Sequence, residues 1–336
     1  MGQLAQPIVG GDTDREHLAV LAIATITPEI EALCTGTLIA PNLVLTARHC
    51  VVPTESRLVD CGETTFEDPY DAGVLWVTPS TNVRNAELFP VKQVAVPPDD
   101  TASCGADIAL LILDGEFSAR IPIMAPRLDA PARRGEAVTA VGFGSALSEG
   151  APGIRRAIGD VEVLCGPADC DTPDLLSNTE FMSAQGACEG DSGGPALDAD
   201  ERVVGVASRT NAECSFAVYS AISPWNDWIV GVAQLALSQG NYETPSWLAT
   251  AQDDNLELEA PTAGDAPSDD LDGEDDLEPP ELSDLSDDEL VSASSGDSGC
   301  SLGGARPGSS PSPAWLALGV ISMALGLGRR ATRRPH

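Results

Sequence analysis

Histidine is nearly absent from this chain: among 336 residues only His17, His49 and His336 carry an imidazole. Any chemistry that needs a base near neutral pH must draw on one of them. Positive charge is also scarce. Lys and Arg number 18 against 52 Asp and Glu, for a formal net charge of -34. That balance lacks the cationic footprint that phosphate backbones require, so nucleic acid is excluded as a partner. Aromatic residues make up only 4%, while Gly numbers 32 and Pro 26, which disfavours a helical bundle and favours a loop-rich β architecture. There is no CxxC pair, no histidine-rich cluster and no EF-hand loop, so no metal or cofactor is expected. Internal repeats are missing too. Met1 to Pro7 is too short and too polar to serve as a secretory signal peptide.

What is present divides the chain into three zones. Residues 8–242 hold short apolar runs separated by Gly, Pro, Asp and Asn: Leu18 to Ile26, Thr37 to Thr46, Ile108 to Leu113, Ala137 to Val141 and Arg202 to Ala207. That spacing predicts an all-β sandwich or barrel. One helix is predicted at its end, where Trp225, Trp228, Ile229, Val232 and Leu235 recur at helical spacing, with Ser223 as N-cap and Pro224 as the first helical residue. Residues 243–299 are rich in Asp, Glu, Ser and Pro and poor in large apolar side chains, a composition that predicts a disordered acidic linker. Residues 300–336 begin at Cys300 and contain an apolar run from Ala314 to Leu327, followed by Arg329, Arg330, Arg333 and Arg334. The run is short for a membrane span, and the arginines after it would mark the cytoplasmic side. Eight of the nine cysteines lie between Cys34 and Cys214, which favours four disulfides and an oxidising compartment over free thiols.

Candidate chemistry gathers at three places. His17 stands in a charged, solvent-facing stretch and His336 in a basic tail, which leaves His49, in Leu45-Thr46-Ala47-Arg48-His49-Cys50, as the candidate base. Ser192 lies in Gly190-Asp191-Ser192-Gly193-Gly194-Pro195, where glycines permit a tight turn that presents a hydroxyl and leaves backbone N–H groups for an oxyanion. Asp107 opens the apolar run Ile108-Ala109-Leu110-Leu111, where an unpaired carboxylate would be costly and a histidine partner would relieve it. Taken alone, Asp107 also fits a solvent-facing aspartate at a strand start. The serine segment matches the GxSxG pattern of α/β-hydrolases, but there the histidine follows the serine, and here only His336 does so. A similar stretch, Gly296-Asp297-Ser298-Gly299, lies in the acidic zone and is read as coincidence.

Four segments together resemble the chymotrypsin-like serine protease family: Ile8-Val9-Gly10-Gly11, the segment ending in His49-Cys50, Asp107-Ile108-Ala109-Leu110-Leu111, and the segment around Ser192. The resemblance covers roughly residues 8–239. It implies two antiparallel β-barrels with a site in the cleft between them and a closing C-terminal helix. By position it makes Ser192 the nucleophile, His49 the general base and acid, and Asp107 its orienter. The N–H groups of Gly190 and Ser192 would form the oxyanion hole. A freed α-amino group on Ile8 would pair with Asp191 on activation. Cys34 with Cys50 would brace the histidine loop and Cys188 with Cys214 the specificity pocket; the resemblance leaves the pairing of Cys61, Cys104, Cys165 and Cys170 open, with a local Cys165–Cys170 loop and Cys61–Cys104 as one arrangement.

Departures from the family pattern are informative. Pro7 precedes Ile8 where Arg or Lys is usual, so a trypsin-like activating protease should not cut there. Gly142-Phe143-Gly144 has Phe for the usual Trp, and Ser208-Arg209-Thr210 replaces a Ser-Trp-Gly segment. Gly186 stands where trypsins are acidic, Thr210 and Ala217 replace glycines, and Glu189 sits at the rim. This pocket should prefer small or medium apolar residues before the scissile bond. The tail from Cys300 resembles the MYXO-CTERM sorting tag of myxobacterial surface proteins, which implies export, processing near Cys300 by a sorting enzyme and attachment to the membrane. The expected activity is that of a secreted or surface-displayed serine endopeptidase acting on protein or peptide substrates. The alternative is a catalytically silent, protease-like binding module, which would have no need of all three side chains.

Overall fold

The computed structural model describes residues 11–251 except 28–30, 54–60, 62, 85, 99–100, 145–152, 168, 171–175 and 212. Ile8, Cys300 and all that was read for the acidic zone beyond residue 251 and for the tail lie outside the described residues.

Two β-barrels carry the fold. The first closes in the order β2 (Val20–Ile26), β3 (Glu31–Ala40), β4 (Leu43–Thr46), β7 (Ala109–Leu113), β6 (Phe89–Ala95) and β5 (Leu75–Thr78). All five residues of β7 and all four of β4 are buried. Both faces of these strands are covered, so they read as continuous apolar runs without alternation. The second barrel is formed by β8 (Ala137–Gly142), β9 (Arg156–Cys165), β10 (Glu180–Ser183), β13 (Ala217–Ala221), β12 (Val203–Thr210) and β11 (Pro195–Leu197). Pairing of β9 with β8 closes this ring, and the two-residue β1 (Asp12–Thr13) adds to β9. Every pairing within the two barrels is antiparallel. Four disulfides join Cys34 to Cys50, Cys61 to Cys104, Cys165 to Cys170 and Cys188 to Cys214.

The predicted helix forms, but it begins later than its sequence signals suggest. Ser223, Pro224 and Trp225 make a 3-10 turn, and α1 runs over Asn226–Gln239. Ser223 makes no side-chain cap, because the turn places it one element too early. The folded region also continues past Tyr242. A helical turn at 246–251 buries Trp247 and Leu248 in the first barrel's core, with Trp247 Nε1 donating to Ile39 O at 2.7 Å. Two apolar side chains in an otherwise polar stretch escape a compositional reading. Among the described residues no helix is long and apolar enough to cross a membrane.

A buried ion pair fastens the N-terminal segment to both barrels. Arg155, fully buried, donates from Nε to Asp14 Oδ2 at 2.8 Å and from Nη1 to Val20 O at 3.0 Å. Its backbone N–H donates to Thr81 O, and its own carbonyl accepts from Asp14 N, each at 2.8 Å. Asp14 also bonds the His17 ring at 2.9 Å. Burial pushes the Asp14 carboxyl upward, but His17, the Glu16 amide and Arg155 outweigh it and hold it far below the usual carboxylate range.

This pairing makes a prediction. Asp14→Asn strands the Arg155 cation in the interior and should lower the unfolding free energy by about 3 kcal/mol at neutral pH. A depressed carboxylate stabilises above its unfolded pKa and loses that contribution as pH falls through its folded value. The gap between wild type and variant should therefore be widest near pH 7 and shrink in strong acid, as read by urea titrations at both pH values.

Candidate active site

The cleft between the barrels collects side chains that are far apart in sequence. Strand β4 leads through Ala47 into a 3-10 turn, Arg48–Cys50, which turns the His49 ring outward from a buried strand. Asp107 lies just before β7, the strand that pairs with β4. Its carboxylate grips His49 twice: the His49 backbone N–H donates to Oδ1 at 2.9 Å, and Nδ1 lies 2.8 Å from Oδ2. A carboxylate there holds the proton on Nδ1 and leaves the Nε2 lone pair outward. Ser208 Oγ donates to the same Oδ2 at 2.6 Å.

The electrostatics follow from these contacts. Burial disfavours the charged imidazolium, but the Asp107 carboxylate outweighs it and raises the His49 pKa above its ordinary value. Burial also pushes the Asp107 carboxyl upward, while His49 and Ser208 pull it below the usual range. Arg209 opposes the His49 charge.

Ser192 sits on a loop that only glycines can make. Gly190 and Gly193 have φ values of +92° and +81°. A Cβ at Gly193 would strike Thr46 Oγ1 and Thr35 O, and one at Gly190 would meet Gly144 Cα. The N–H groups of Asp191, Gly193 and Gly194 are bonded to the carbonyls of Cys188, Ala207 and Asp191. Those of Gly190 and Ser192 donate to no described residue, which leaves two backbone donors on either side of Asp191. Cys50 Sγ lies 3.6 Å from Ser192 O and 3.9 Å from His49 Nε2, so one sulfur touches both the imidazole and the serine backbone. Among the described residues no hydrogen bond joins Ser192 Oγ to His49 Nε2. Such bonds are often long in an unliganded site and shorten around substrate.

The remaining expected residues fall as follows. Asp191 is buried, with Oδ1 accepting from Gly144 N at 2.8 Å and Oδ2 from Cys188 N at 2.9 Å. Its expected partner Ile8 lies outside the described residues. Gly186, at φ +119°, adjoins Ala140, Val161 and the Tyr219 hydroxyl. Ala217 is fully buried and pairs with Thr210, whose hydroxyl donates to Phe216 O. Glu189 is exposed. Ser208, read from sequence as part of the pocket wall, turns its hydroxyl onto Asp107. Cys34, His49 and Cys50 bring three ligand-type atoms within 4.8 Å, but both sulfurs are spent in a disulfide and offer no thiolate to a metal.

Thr35, on β3, gave no signal in the sequence. It is fully buried and hydrogen-bonded at every polar atom, with its N–H and its hydroxyl both donating to the serine loop. Its N–H donates to Ser192 O at 2.8 Å, its hydroxyl donates to Gly190 O at 3.0 Å and accepts from Phe143 N at 3.0 Å, and its carbonyl accepts from Thr46 Oγ1 at 2.8 Å. Nothing about a threonine after a cysteine announces this, because its partners Phe143 and Gly190 lie more than a hundred residues away.

Comparison with known proteins completes the description. The sequence model of the Trypsin family matches residues 8–229. The chain is 27% identical to granzyme M of Rattus norvegicus over 217 residues, covering 59% of this chain and 78% of that one. It is equally 27% identical to a trypsin of Saccharopolyspora erythraea over 208 residues, covering 60% and 86%. Among solved structures, it resembles the scabies mite inactivated protease paralogue S-I1 with a TM-score of 0.52 and 20% identity, over 67% of this chain and 98% of that one. Human heparin binding protein resembles it with a TM-score of 0.51 and 22% identity, over 67% and 96%. These two likenesses speak for the fold alone.

The Thr35 contacts carry a prediction. Thr35→Val keeps the side-chain shape but strands a buried carbonyl and a buried N–H, each worth about 1–3 kcal/mol. It should slow fluorophosphonate labelling of Ser192 at least about tenfold, and Thr35→Ser should recover most of the loss.

Proposed function

The chain belongs to the trypsin family of serine proteases, and on that premise we propose that it is an endopeptidase working through His49, Asp107 and Ser192. Ser192 Oγ attacks the carbonyl carbon of the scissile peptide while His49 Nε2 takes its proton. Asp107 keeps the ring in the required tautomer and balances the imidazolium. The carbonyl oxygen gains negative charge and is met by the N–H groups of Gly190 and Ser192. The imidazolium then returns its proton to the leaving amine, the C–N bond breaks, and an ester to Ser192 remains. Water, deprotonated by His49, hydrolyses that ester and frees the serine. The observation that carries this reading is the double grip of one buried carboxylate on His49, through both its backbone N–H and its ring.

Specificity is read from the residues that the family resemblance places at the pocket. Gly186 offers no carboxylate to hold Arg or Lys, and Thr210 and Ala217 add bulk. Small or medium apolar residues before the scissile bond fit this lining. Four disulfides suit an oxidising, extracellular setting. We further read Ile8 as the new N-terminus after activation, with Asp191 as its partner, and residues 300–336 as a surface-sorting tag processed near Cys300. The activation reading rests on sequence resemblance and on the burial of Asp191, and the tag reading on sequence alone.

Two measurements test the proposal. The chain starting at Ile8, profiled on a peptide library, should cleave after Ala or Val faster than after Arg or Lys, and Ser192→Ala should lower kcat by at least about a thousandfold. Undiminished cleavage by that variant would remove Ser192 from the mechanism. The raised pKa of His49 sets the pH dependence. The ring must be neutral to accept a proton, so kcat/KM should fall on acidification with a midpoint above the ordinary histidine value near 6.5.

A further inference from the structure

Behind Asp107 lies a second buried ion pair that the mechanism does not use. Glu180, at the start of β10, is 0% exposed, yet its carboxylate is fully partnered. Oε1 accepts from Arg209 Nη1 at 2.6 Å and from Gly105 N at 2.9 Å, while Oε2 accepts from Arg209 Nη2 at 2.8 Å and from Ser177 N at 2.8 Å. Gly105 lies two residues before Asp107. Its own carbonyl accepts from Thr179 Oγ1 at 2.9 Å, so the segment that leads into Asp107 is stitched to the second barrel at both of its backbone atoms. Gly105 can approach so closely only without a side chain, because a Cβ would strike Ser177 Oγ and Thr179 Oγ1.

The other end of the pair reaches the same carboxylate by a second route. Arg209 Nη1 lies 3.2 Å from Ser208 Oγ, which lies 2.6 Å from Asp107 Oδ2. A guanidinium can only donate. Ser208 Oγ therefore accepts from Arg209 and must direct its own proton at Asp107. The contacts close a ring: Asp107, Ser208, Arg209, Glu180, Gly105 and back along the chain to Asp107.

We infer that Glu180 and Arg209 are a positioning pair for Asp107, fixing both the backbone that carries it and the direction of the hydroxyl that bonds it. The inference rests on the protease reading for its effect on turnover, but its geometry does not. Among the described residues, the charged groups acting on the His49 ring are Asp107 and Arg209, and Glu180 is the carboxylate that faces Arg209. Arg209 opposes protonation of His49.

The test uses the chain starting at Ile8, as in the cleavage assay, with an apolar double variant, Glu180→Met with Arg209→Leu. Replacing a buried ion pair by apolar side chains is often neutral for stability, whereas a single removal strands a charge. Arg209→Lys is the companion, since it keeps the charge but loses the fork that grips Glu180. Three histidines make the ring signals of His49 separable by NMR, with His17 as an internal reference. In the double variant, kcat should fall about tenfold to a hundredfold with KM little changed. The His49 midpoint should move away from that of wild type, and its Nδ1–H signal should lose protection from exchange. Arg209→Lys should keep the midpoint and lose part of kcat. A double variant that melts cooperatively and retains both the kcat and the ring titration of wild type would overturn the inference. If the double variant does not fold, Arg209→Lys decides, and an unchanged kcat and Nδ1–H signal there would equally overturn it. A wild-type chain that cleaves no peptide would refute the protease reading, while the ring signals would still decide the positioning one.

Discussion

The charge on Asp107 is the constraint around which the cleft is organised. A carboxylate 2% exposed is tolerable only when donors compensate its charge. Here the donors come from three places: the His49 backbone, the His49 ring and the Ser208 hydroxyl. Two of them are parts of one residue, so satisfying the carboxylate and orienting the imidazole are the same event. The third lies on β12 of the second barrel, so the carboxylate of one barrel is completed by the other.

The serine loop depends on a different resource, backbone geometry. Positive φ at Gly190 and Gly193 turns the chain so that alternate N–H groups point away from the loop's own carbonyls. Such a loop has little apolar surface with which to hold itself. Thr35 and the disulfide between Cys34 and Cys50 brace it from the first barrel, and Asp191 braces it against Gly144 and Cys188. Both candidate reacting groups are thus attached to rigid strands, although one lies on a turn and the other on a loop.

Charge burial recurs where segments of different origin meet. Arg155 with Asp14 holds the N-terminal segment, and Arg209 with Glu180 holds the chain before Asp107. In each case an arginine spreads several donors over backbone carbonyls, hydroxyls or a carboxylate, which a lysine could not do with one compact charge. An ion pair of this kind adds little to stability compared with apolar packing, but it ties the parts in one orientation.

Much of this was legible in the residues. Long apolar runs such as Ala109–Leu113 declared themselves as buried strands, the order His49, Asp107, Ser192 pointed to one arrangement and away from another, and the glycines around Ser192 announced a tight turn. Periodicity and local backbone limits act over a few residues, so they can be read along the chain. The start of α1, the packing of Trp247, the hydroxyl of Thr35 and the pairing of Glu180 with Arg209 could not be read in that way. Each depends on which surfaces two closed barrels bring together, and a buried polar group is defined by its partner rather than by its neighbours in sequence. The sequence determined the elements and the identity of the candidate reacting groups; only the tertiary structure decided which distant donors hold them in place.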